Sequence, residues 1–401
     1  MPTNIADVPK NLMSDFDLVS DPEMMRNPQQ RMTDALVNDE RDIFYTPHNG
    51  GHWIVTNYEM GHEILSNPDL FGSFPIGVPA NYEQRPRLIP LESDPQSHPR
   101  YRRLLLPVFA PNIISKMEDK IRKRTINVLD EALQSPEIDF LWDIAKPIPT
   151  GVFLEMLGLP QHMQPQFFEW ENGFYRAETV EARVDYGQKI AQFLSQAAED
   201  HVTNPRDDVM SMLLAVEVEG ERLSRDEVDA ICYLLFLAGV DTVAAMLTFI
   251  ANYLAQNQDL YQKIKVDKEF LEKATDELLR MHAFINLNRI CEADTEFHGV
   301  QFKQGDNIVV PSFVTDRDAA TFPDPHNFNP ERSKVERTMH HAFGDGPHKC
   351  IGMHLAKLEI KIVLEEFAKR VDTFSISDES KIKAHGGTTM GMDNLPITWT
   401  A

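Results

Sequence analysis

The most continuous hydrophobic stretch of the chain lies past its midpoint and predicts one long buried helix. Ser224 and Glu227 stand three positions apart, which is the spacing of an N-terminal capping box. The apolar run 230–240 follows, and after one acidic residue the run 243–254 continues almost without charge. We therefore predict a helix from this capping box to about Ala255 that crosses the centre of the protein.

Elsewhere the pattern predicts a small sheet, a long loop and further helices. The alternating residues 52–57 predict a strand, and residues 58–65 predict a short helix after it. Residues 71–92 carry several prolines, and their hydrophobic residues follow no regular period. This combination is typical of a long functional loop. Periodic segments predict helices at about 97–109, 111–135, 138–157, 161–173 and 180–201.

This pattern indicates a single domain, residues 1–401, of mainly α class with small β-sheets. No internal repeat, low-complexity tract or linker divides the sequence. Residues 1 to about 50 are mixed and polar, with scattered prolines. We expect them to wrap the surface ahead of any regular element.

The composition is that of a globular protein that does not bind nucleic acid. The formal net charge is −23, whereas binding to phosphates needs a basic surface. Three well-separated cysteines, Cys232, Cys291 and Cys350, do not suggest disulfides and fit a reducing cytoplasm. No export signal begins the sequence, and Asp241 opposes a membrane span, since a central acid costs about 2.5–3.5 kcal/mol. We expect a cytoplasmic protein without a membrane partner.

A cysteine on a glycine-rich loop is the strongest chemical signal in the sequence. The segment 343–352 reads Phe-Gly-Asp-Gly-Pro-His-Lys-Cys-Ile-Gly and precedes a predicted helix. Glycines let a flat cofactor lie against the backbone, and a helix N-terminus lowers the pKa of a nearby thiol, so Cys350 is a candidate metal ligand. The alternative is a zinc site with nearby histidines, although zinc ligands usually come in closely spaced pairs. Those histidines are His340, His341, His348 and His354.

The pattern Phe-Gly-x-Gly-x-His-x-Cys-x-Gly resembles the haem-ligand loop of the cytochrome P-450 monooxygenases. The resemblance implies the cytochrome P-450 fold, with the long central helix over the haem. It also implies that the Cys350 thiolate ligates the iron of haem b and donates electron density to it. Phe343 would shield the sulfur, and His348 would reach a haem propionate. Gly344 and Gly352 would contact the cofactor.

Within the long helix, the stretch 238–242, Ala-Gly-Val-Asp-Thr, is similar to the oxygen-binding groove of this family. A buried Asp241 needs an ion-pair partner or a chemical role, because burying an unpaired charge costs several kcal/mol. The resemblance gives Asp241 a role in proton delivery and Thr242 a role in oxygen activation. It places Ala238 and Gly239 against the haem, with the glycine opening the helix beside the iron.

Two further sets of residues match the family in order and spacing. Glu277 and Arg280 resemble its E-x-x-R pair, which holds the cysteine loop in place through the segment 322–332. Their role would be structural. The resemblance also implies further propionate ligands with donor groups that suit carboxylates, namely His98, Arg102 and Arg289.

The resemblance implies hydroxylation of a small apolar substrate by O₂, with electrons from NAD(P)H through a reductase and a [2Fe–2S] ferredoxin. We expect an acidic ferredoxin to approach the cysteine side, where Arg100, Arg103 and Lys349 would form a basic patch. Two alternatives remain open. One is a hydroxylase driven by peroxide, and the other is a non-enzymatic haem sensor or electron carrier, neither of which needs the Asp241–Thr242 pair.

Within the family, the chain is most similar to the camphor-hydroxylase group. However, Pro86 stands where that group has a ketone-binding tyrosine, and Leu287 replaces an aspartate near the propionates. We therefore predict a small terpenoid or norisoprenoid substrate rather than camphor, with fatty acids as the alternative. The residues that the resemblance places around the substrate are Ile76, Val78, Tyr82, Leu234, Leu237, Ile285 and Thr388.

Overall fold

A computed structural model describes residues 2–79, 86–177, 179–218 and 220–401, and most of these residues are helical. The mainly α class predicted from the sequence is confirmed. The helices are α1 (Pro28–Met32), α2 (Tyr58–Ser66), α3 (His98–Leu105), α4 (Pro111–Ile114), α5 (Glu118–Ala132), α6 (Pro147–Met156), α7 (Gln164–Arg176), α8 (Val180–Thr203), α9 (Val209–Ala215), α10 (Arg225–Val240), α11 (Thr242–Gln256), α12 (Gln258–Val266), α13 (Lys268–Met281), α14 (Ser312–Thr315), α15 (Lys334–Thr338) and α16 (Met353–Arg370).

The strands are short and form small sheets, as predicted. They are β1 (Ile43–Thr46), β2 (His52–Val55), β3 (Phe71–Gly72), β4 (Glu137–Asp139), β5 (Glu217–Val218), β6 (Glu221–Arg222), β7 (Asn286–Cys291), β8 (Thr295–Phe297), β9 (Val300–Phe302), β10 (Asn307–Pro311), β11 (Thr373–Ile376), β12 (Ala384–His385), β13 (Gly391–Met392) and β14 (Pro396–Thr400). The largest sheet has the order β1-β2-β10-β7-β3. In it β10 runs parallel to β2, and the other neighbours are antiparallel.

The predicted central helix is present as two segments, α10 and α11, which meet at Asp241. Its start is the predicted capping box. The Ser224 hydroxyl accepts a hydrogen bond from the Glu227 N–H (3.2 Å), and the Glu227 carboxylate accepts one from the Ser224 N–H (2.7 Å). These two bonds satisfy N–H groups that have no partner within the helix.

The stretch Arg225–Gln256 has the length and apolar composition of a membrane-spanning helix. However, 83% of its most apolar window is buried inside the protein. Its hydrophobic residues therefore belong to the core.

The helix predicted over 138–157 needs correction at its start. Residues Glu137–Asp139 form β4, which pairs with β14 in the register Ile138↔Ile397. A π-helical turn, Phe140–Ala145, then leads into α6. Pairing with a strand far along the chain overrides the local helical pattern here.

The first fifty residues are more ordered and more buried than predicted. They include α1 and β1, and β1 pairs with β2 along its whole length. The expectation that no regular element occurs here is therefore wrong. Several hydrophobic side chains of this segment belong to the main core, namely Phe16, Leu18, Met24, Met32 and Leu36.

The core consists of two large hydrophobic clusters. One gathers around α11, α13 and α16, and the other gathers mainly around α6, α8 and α10. A large cavity is lined by residues from both clusters. The break between α10 and α11 lies in its wall, because Gly239 and Thr242 both line the cavity.

Candidate active site

The cavity has a volume of about 1160 Å³ and a mainly apolar lining. Cys350, on the loop before α16, is exposed and lines this cavity. Ala238 and Thr242 border the same cavity from the central helix. The structure thus brings the cysteine loop and the 238–242 stretch to one enclosed space, as the sequence predicted.

Backbone geometry holds the cysteine loop in place. The Cys350 N–H donates to the Phe343 carbonyl (2.8 Å) and closes the loop. Gly344 and Gly346 have φ values of +68° and +63°, which favour glycine. A Cβ on Gly346 would lie 2.4 Å from the Leu65 carbonyl oxygen. This glycine therefore lets the loop pack against the end of α2.

The Cys350 sulfur accepts hydrogen bonds from the N–H groups of Gly352 and Met353, where α16 begins. Burial nevertheless raises the pKa of the thiol above its ordinary value, because these N–H groups and Arg102 compensate only in part. The N–H groups at the start of the helix lower this pKa, as the sequence predicted, but burial outweighs them. A thiol in this position needs a cation to ionise it, and a coordinated metal ion is such a cation.

Four nitrogen-rich side chains gather beside the cysteine loop, and several of their donors have no acceptor. The ring centroids of His98 and His348 lie 4.1 Å apart, and Nδ1 of His348 is buried without a hydrogen bond. Arg289 is buried and donates from Nη1 to the Asn288 carbonyl (2.8 Å), while its Nε has no partner. The Arg102 guanidinium makes no hydrogen bond or salt bridge with any residue that the structure describes.

Among the described residues, no carboxylate forms an ion pair with the Arg102 or Arg289 guanidinium of this cluster. Burial lowers the pKa of Arg289 to about 10, and burial with neighbouring cations lowers the pKa of His98 to about 4 and of His348 to about 3. Two carboxylates would accept the unused N–H groups and balance the guanidinium charges. The cluster therefore fits the two propionates of haem, which is the group that the sequence predicted here.

Asp241 has the ion-pair partner that its burial requires. Lys146 Nζ lies 3.7 Å from an Asp241 oxygen and 2.8 Å from Glu171 Oε2. The side chains of Lys146 and Glu171 are 1% and 0% exposed. The sequence predicted a partner for Asp241 but did not identify either residue, because both lie far from it along the chain.

Asp241 and Glu171 are both in contact with Lys146. Lys146 donates to both carboxyl oxygens of Glu171 (3.1 and 2.8 Å). Burial and the charge of Asp241 raise the pKa of Glu171, whereas Lys146 and Arg176 outweigh burial and lower the pKa of Asp241. Glu171 is therefore the more readily protonated of the two carboxyl groups. This arrangement can hold a proton next to Thr242 and pass it on.

Gly239 lines the cavity and also has a packing role that the sequence did not predict. A Cβ at this position would lie 2.4 Å from a ring carbon of Phe153, so the glycine allows α10 to pack against α6. Ala238 is the residue of this pair that is more exposed to the cavity. The Thr242 hydroxyl donates to the Ala238 carbonyl (2.7 Å) and bridges the break in the helix.

Glu277 and Arg280 form the centre of a buried network. Arg280 donates twice to Glu277 (2.8 and 2.9 Å) and also to the Asp316 and Pro325 carbonyls (2.7 and 3.0 Å). Arg332 donates to the same Glu277 (3.0 Å). These contacts join α13 to the 322–332 segment that leads into the cysteine loop, as the resemblance implied.

Most residues predicted to surround the substrate line the cavity. They are Ile76, Val78, Leu234, Leu237, Ile285 and Thr388. The Thr388 hydroxyl also accepts a hydrogen bond from the Val78 N–H (3.3 Å), which ties the C-terminal turn to the long loop. Tyr82 lies outside the described residues.

The sequence did not predict a polar group of residues in the same lining. Arg176 at the end of α7 donates to Asp393 (2.7 Å), which also pairs with His385 (2.8 Å). Tyr175 lines the cavity beside them, and its hydroxyl makes no hydrogen bond to any part of the chain that the structure describes. These side chains come from two distant segments, so no local motif marks them.

The predicted alternative of a zinc site around Cys350 finds no support in the geometry. His348 packs against His98, and His354 is exposed on α16. Within the described ranges, the group of metal-ligating side chains close enough to share an ion is His62, His341 and Asp345, without the cysteine.

The chain matches known proteins over its whole length. Residues 154–399 match the family model described as cytochrome P450. The chain is 32% identical to the probable cytochrome P450 127A1 of Sinorhizobium fredii, over 98% of its own length and 96% of the relative's. It is 30% identical to the steroid C26-monooxygenase of Mycolicibacterium smegmatis, over 87% and 84% of the two lengths. The chain belongs to the cytochrome P450 family, as its motifs predicted.

Solved structures show the same fold. The chain is similar to CYP101J2 with 27% identity and a TM-score of 0.89, and to CYP101C1 with 25% identity and a TM-score of 0.90. Both matches cover 100% of each chain. The protein is therefore a haem-thiolate monooxygenase. When bound, the haem supplies the oxygen chemistry, and the protein provides the site that holds it.

Proposed function

We propose that this monooxygenase hydroxylates a small terpenoid or norisoprenoid, with electrons from NAD(P)H through a reductase and a [2Fe–2S] ferredoxin. In this proposal Cys350 ligates the haem iron, and His98, Arg102, Arg289 and His348 hold the propionates. The observation that carries the proposal is the large, mainly apolar cavity that both Cys350 and Thr242 border. We also expect the protein to act in the cytoplasm.

The character of the cavity supports a compact hydrocarbon body with few polar groups. Each buried methylene contributes about 0.8 kcal/mol, so a skeleton of about ten to thirteen carbons reaches micromolar affinity by burial alone. A single ketone or hydroxyl group has possible partners in Thr388 and Tyr175, both of which line the cavity. Weak polar anchoring gives modest selectivity among analogues.

Two arginines of the long loop, Arg85 and Arg87, do not strengthen the case for a fatty acid. Arg87 stacks over the Phe74 ring (4.6 Å), and its Nε donates to the Glu92 carbonyl (2.9 Å). Arg85 lies outside the described residues. The carboxylate of a fatty acid would therefore compete with existing contacts of Arg87.

A panel of ligands should identify the substrate class. We expect an ionone or a monoterpenoid to shift the haem from low to high spin at micromolar concentration, and to bind more tightly than camphor. The measurement is a spectral titration of the haem-loaded protein with each compound. Tightest binding by camphor or by a fatty acid would contradict the proposed class, while leaving the monooxygenase assignment intact.

Thr242→Ala should uncouple electron consumption from product formation. The variant removes the hydroxyl that bridges the helix break at Ala238, next to the carboxyl group of Asp241. We expect NAD(P)H consumption to continue while product per NAD(P)H falls severalfold and hydrogen peroxide rises.

The matched control is Thr248→Ala, because the Thr248 hydroxyl makes the same bond to the carbonyl one turn earlier, at Ala244 (2.8 Å). Unchanged coupling in Thr242→Ala would contradict the role of this hydroxyl. Full product formation from peroxide alone, in both wild type and Thr242→Ala, would favour the peroxide-driven alternative.

The proposed docking site for the ferredoxin is smaller than the sequence suggested. Arg100 donates to Glu227 (2.8 Å), so its charge is already paired and it leaves the proposed patch. Arg103 also has contacts of its own, including a bond from its Nε to the Pro99 carbonyl (3.3 Å), but it stays in the proposed patch because it is exposed on α3. Lys349 is half-buried in the cysteine loop. These two charges support an approach of an acidic partner to the cysteine side.

Reversing both charges tests this surface. We expect Arg103→Glu combined with Lys349→Glu to slow reduction by an acidic ferredoxin about tenfold or more at low salt, and to flatten its salt dependence. Stopped-flow reduction at several ionic strengths measures both effects. The control is Lys189→Glu on α8. Equal slowing in the control, or an unchanged salt dependence in the double variant, would contradict docking at this patch.

A further inference from the structure

Two histidines and one aspartate meet where the cysteine loop packs against α2. His62 Nδ1 lies 2.7 Å from Asp345 Oδ2, and His341 Nε2 lies 3.7 Å from the same oxygen. One ligand atom from each residue lies within 4.8 Å of the others. The three side chains belong to α2 and to the two turns on either side of Gly344. None of the three lines the cavity that Cys350 borders.

The ring of His341 is fixed in place while one of its nitrogens has no partner. Tyr58 stacks on the ring with a centroid distance of 4.3 Å and an interplanar angle of 6°. Thr315 Oγ1 lies 2.9 Å from Nδ1. The residue is 0% exposed, and its Nε2 is buried without a hydrogen bond, facing the Asp345 carboxylate. A buried polar atom of this kind usually has a bound partner.

The protonation states suit a cation. Burial lowers the pKa of His341 to about 4, so this ring is neutral at pH 7 and has a lone pair to share. Burial raises the pKa of Asp345, but the hydrogen bond from His62 and the Gly346 N–H outweigh it, and the pKa lies below its ordinary value. The carboxylate is therefore charged.

We propose that His62, His341 and Asp345 form a site for a divalent transition-metal ion of the zinc class. Imidazole nitrogens and a carboxylate oxygen are ligands that zinc accepts, with water completing four-coordination. Zinc bonds of 2.0–2.1 Å place tetrahedral ligand atoms about 3.3 Å apart. This separation lies between the distances from Asp345 Oδ2 to His62 Nδ1 (2.7 Å) and to His341 Nε2 (3.7 Å). His62, whose side chain is 44% exposed, can rotate to open this space.

An ion at this position would link α2 to the loop that carries Cys350. The contact already depends on Gly346, whose missing side chain lets the loop approach Leu65 and Ser66. Binding would replace the hydrogen bond between His62 and Asp345 by two metal–ligand bonds. Mg²⁺ and Ca²⁺ prefer oxygen ligands and should not compete.

The test uses haem-loaded, untagged protein titrated with ZnCl₂ in a calorimeter. We expect one saturable ion per chain and no comparable binding of MgCl₂. His62→Ala should weaken zinc binding at least tenfold. The control is His298→Ala. His298 pairs with Glu63, the neighbour of His62 on α2 (3.1 Å), and its side chain is similarly exposed, at 41%.

Thermal unfolding gives a second readout that does not depend on activity. A saturating excess of zinc, at about 100 times its dissociation constant, should raise the folded-to-unfolded ratio about a hundredfold. This rise should be lost in His62→Ala and kept in His298→Ala. Equal loss of binding in both variants, binding without saturation, or equal binding of magnesium would overturn the proposal.

Discussion

Cys350→Ser is expected to abolish the strongly red-shifted Soret band that we expect of the reduced wild-type protein with carbon monoxide. That band reports thiolate ligation, and an alcohol is a poor ligand at neutral pH that lacks the electron donation of sulfur. Monooxygenase activity should fall below detection with it. Haem is expected to remain partly bound, because the N–H donors of His98, Arg102, Arg289 and His348 are still available to the propionates.

The matched control is Cys291→Ser. Cys291 is buried in β7, and its sulfur donates to the Ala293 carbonyl (3.0 Å), which a hydroxyl can also do. This variant should keep the wild-type spectrum. A wild-type spectrum in Cys350→Ser, or its loss in Cys291→Ser alone, would show that Cys350 is not the iron ligand.

Glu277→Gln should cost the fold about 3–5 kcal/mol, because it removes the one carboxylate that Arg280 and Arg332 share in the core. The exposed fraction of the Arg280 and Glu277 side chains is 0% for each, so water cannot replace the lost charge. For 401 residues, this free energy corresponds to a fall of about 4–6 °C in the unfolding temperature. Differential scanning of the haem-loaded variant measures it.

The control for this variant is Glu331→Gln. Glu331 pairs with Lys273 at 3.2 Å, but its side chain is 68% exposed, and an exposed pair contributes at most about 1 kcal/mol. The two variants differ in burial and remove the same charge. If both left the unfolding temperature unchanged, the network around Glu277 would not hold the loop segment in place.

Several features of the protein followed from the sequence alone because their signals are local. The capping box at Ser224 and Glu227 needs only two residues a fixed distance apart. The loop before Cys350 needs glycines at fixed positions and a helix directly after it. Such signals depend on neighbours a few positions away in the sequence. They can therefore be recognised without knowing how the rest of the chain packs.

The tertiary structure decided which distant groups meet. In several cases these contacts explain why a particular residue type is needed at its position. Gly239 is needed for the approach of Phe153, and Asp241 is held by Lys146 and Glu171. The pKa of the Cys350 thiol is raised by burial in spite of its place before a helix. Burial and ion pairing depend on how segments pack across the core, and a linear pattern does not contain those distances.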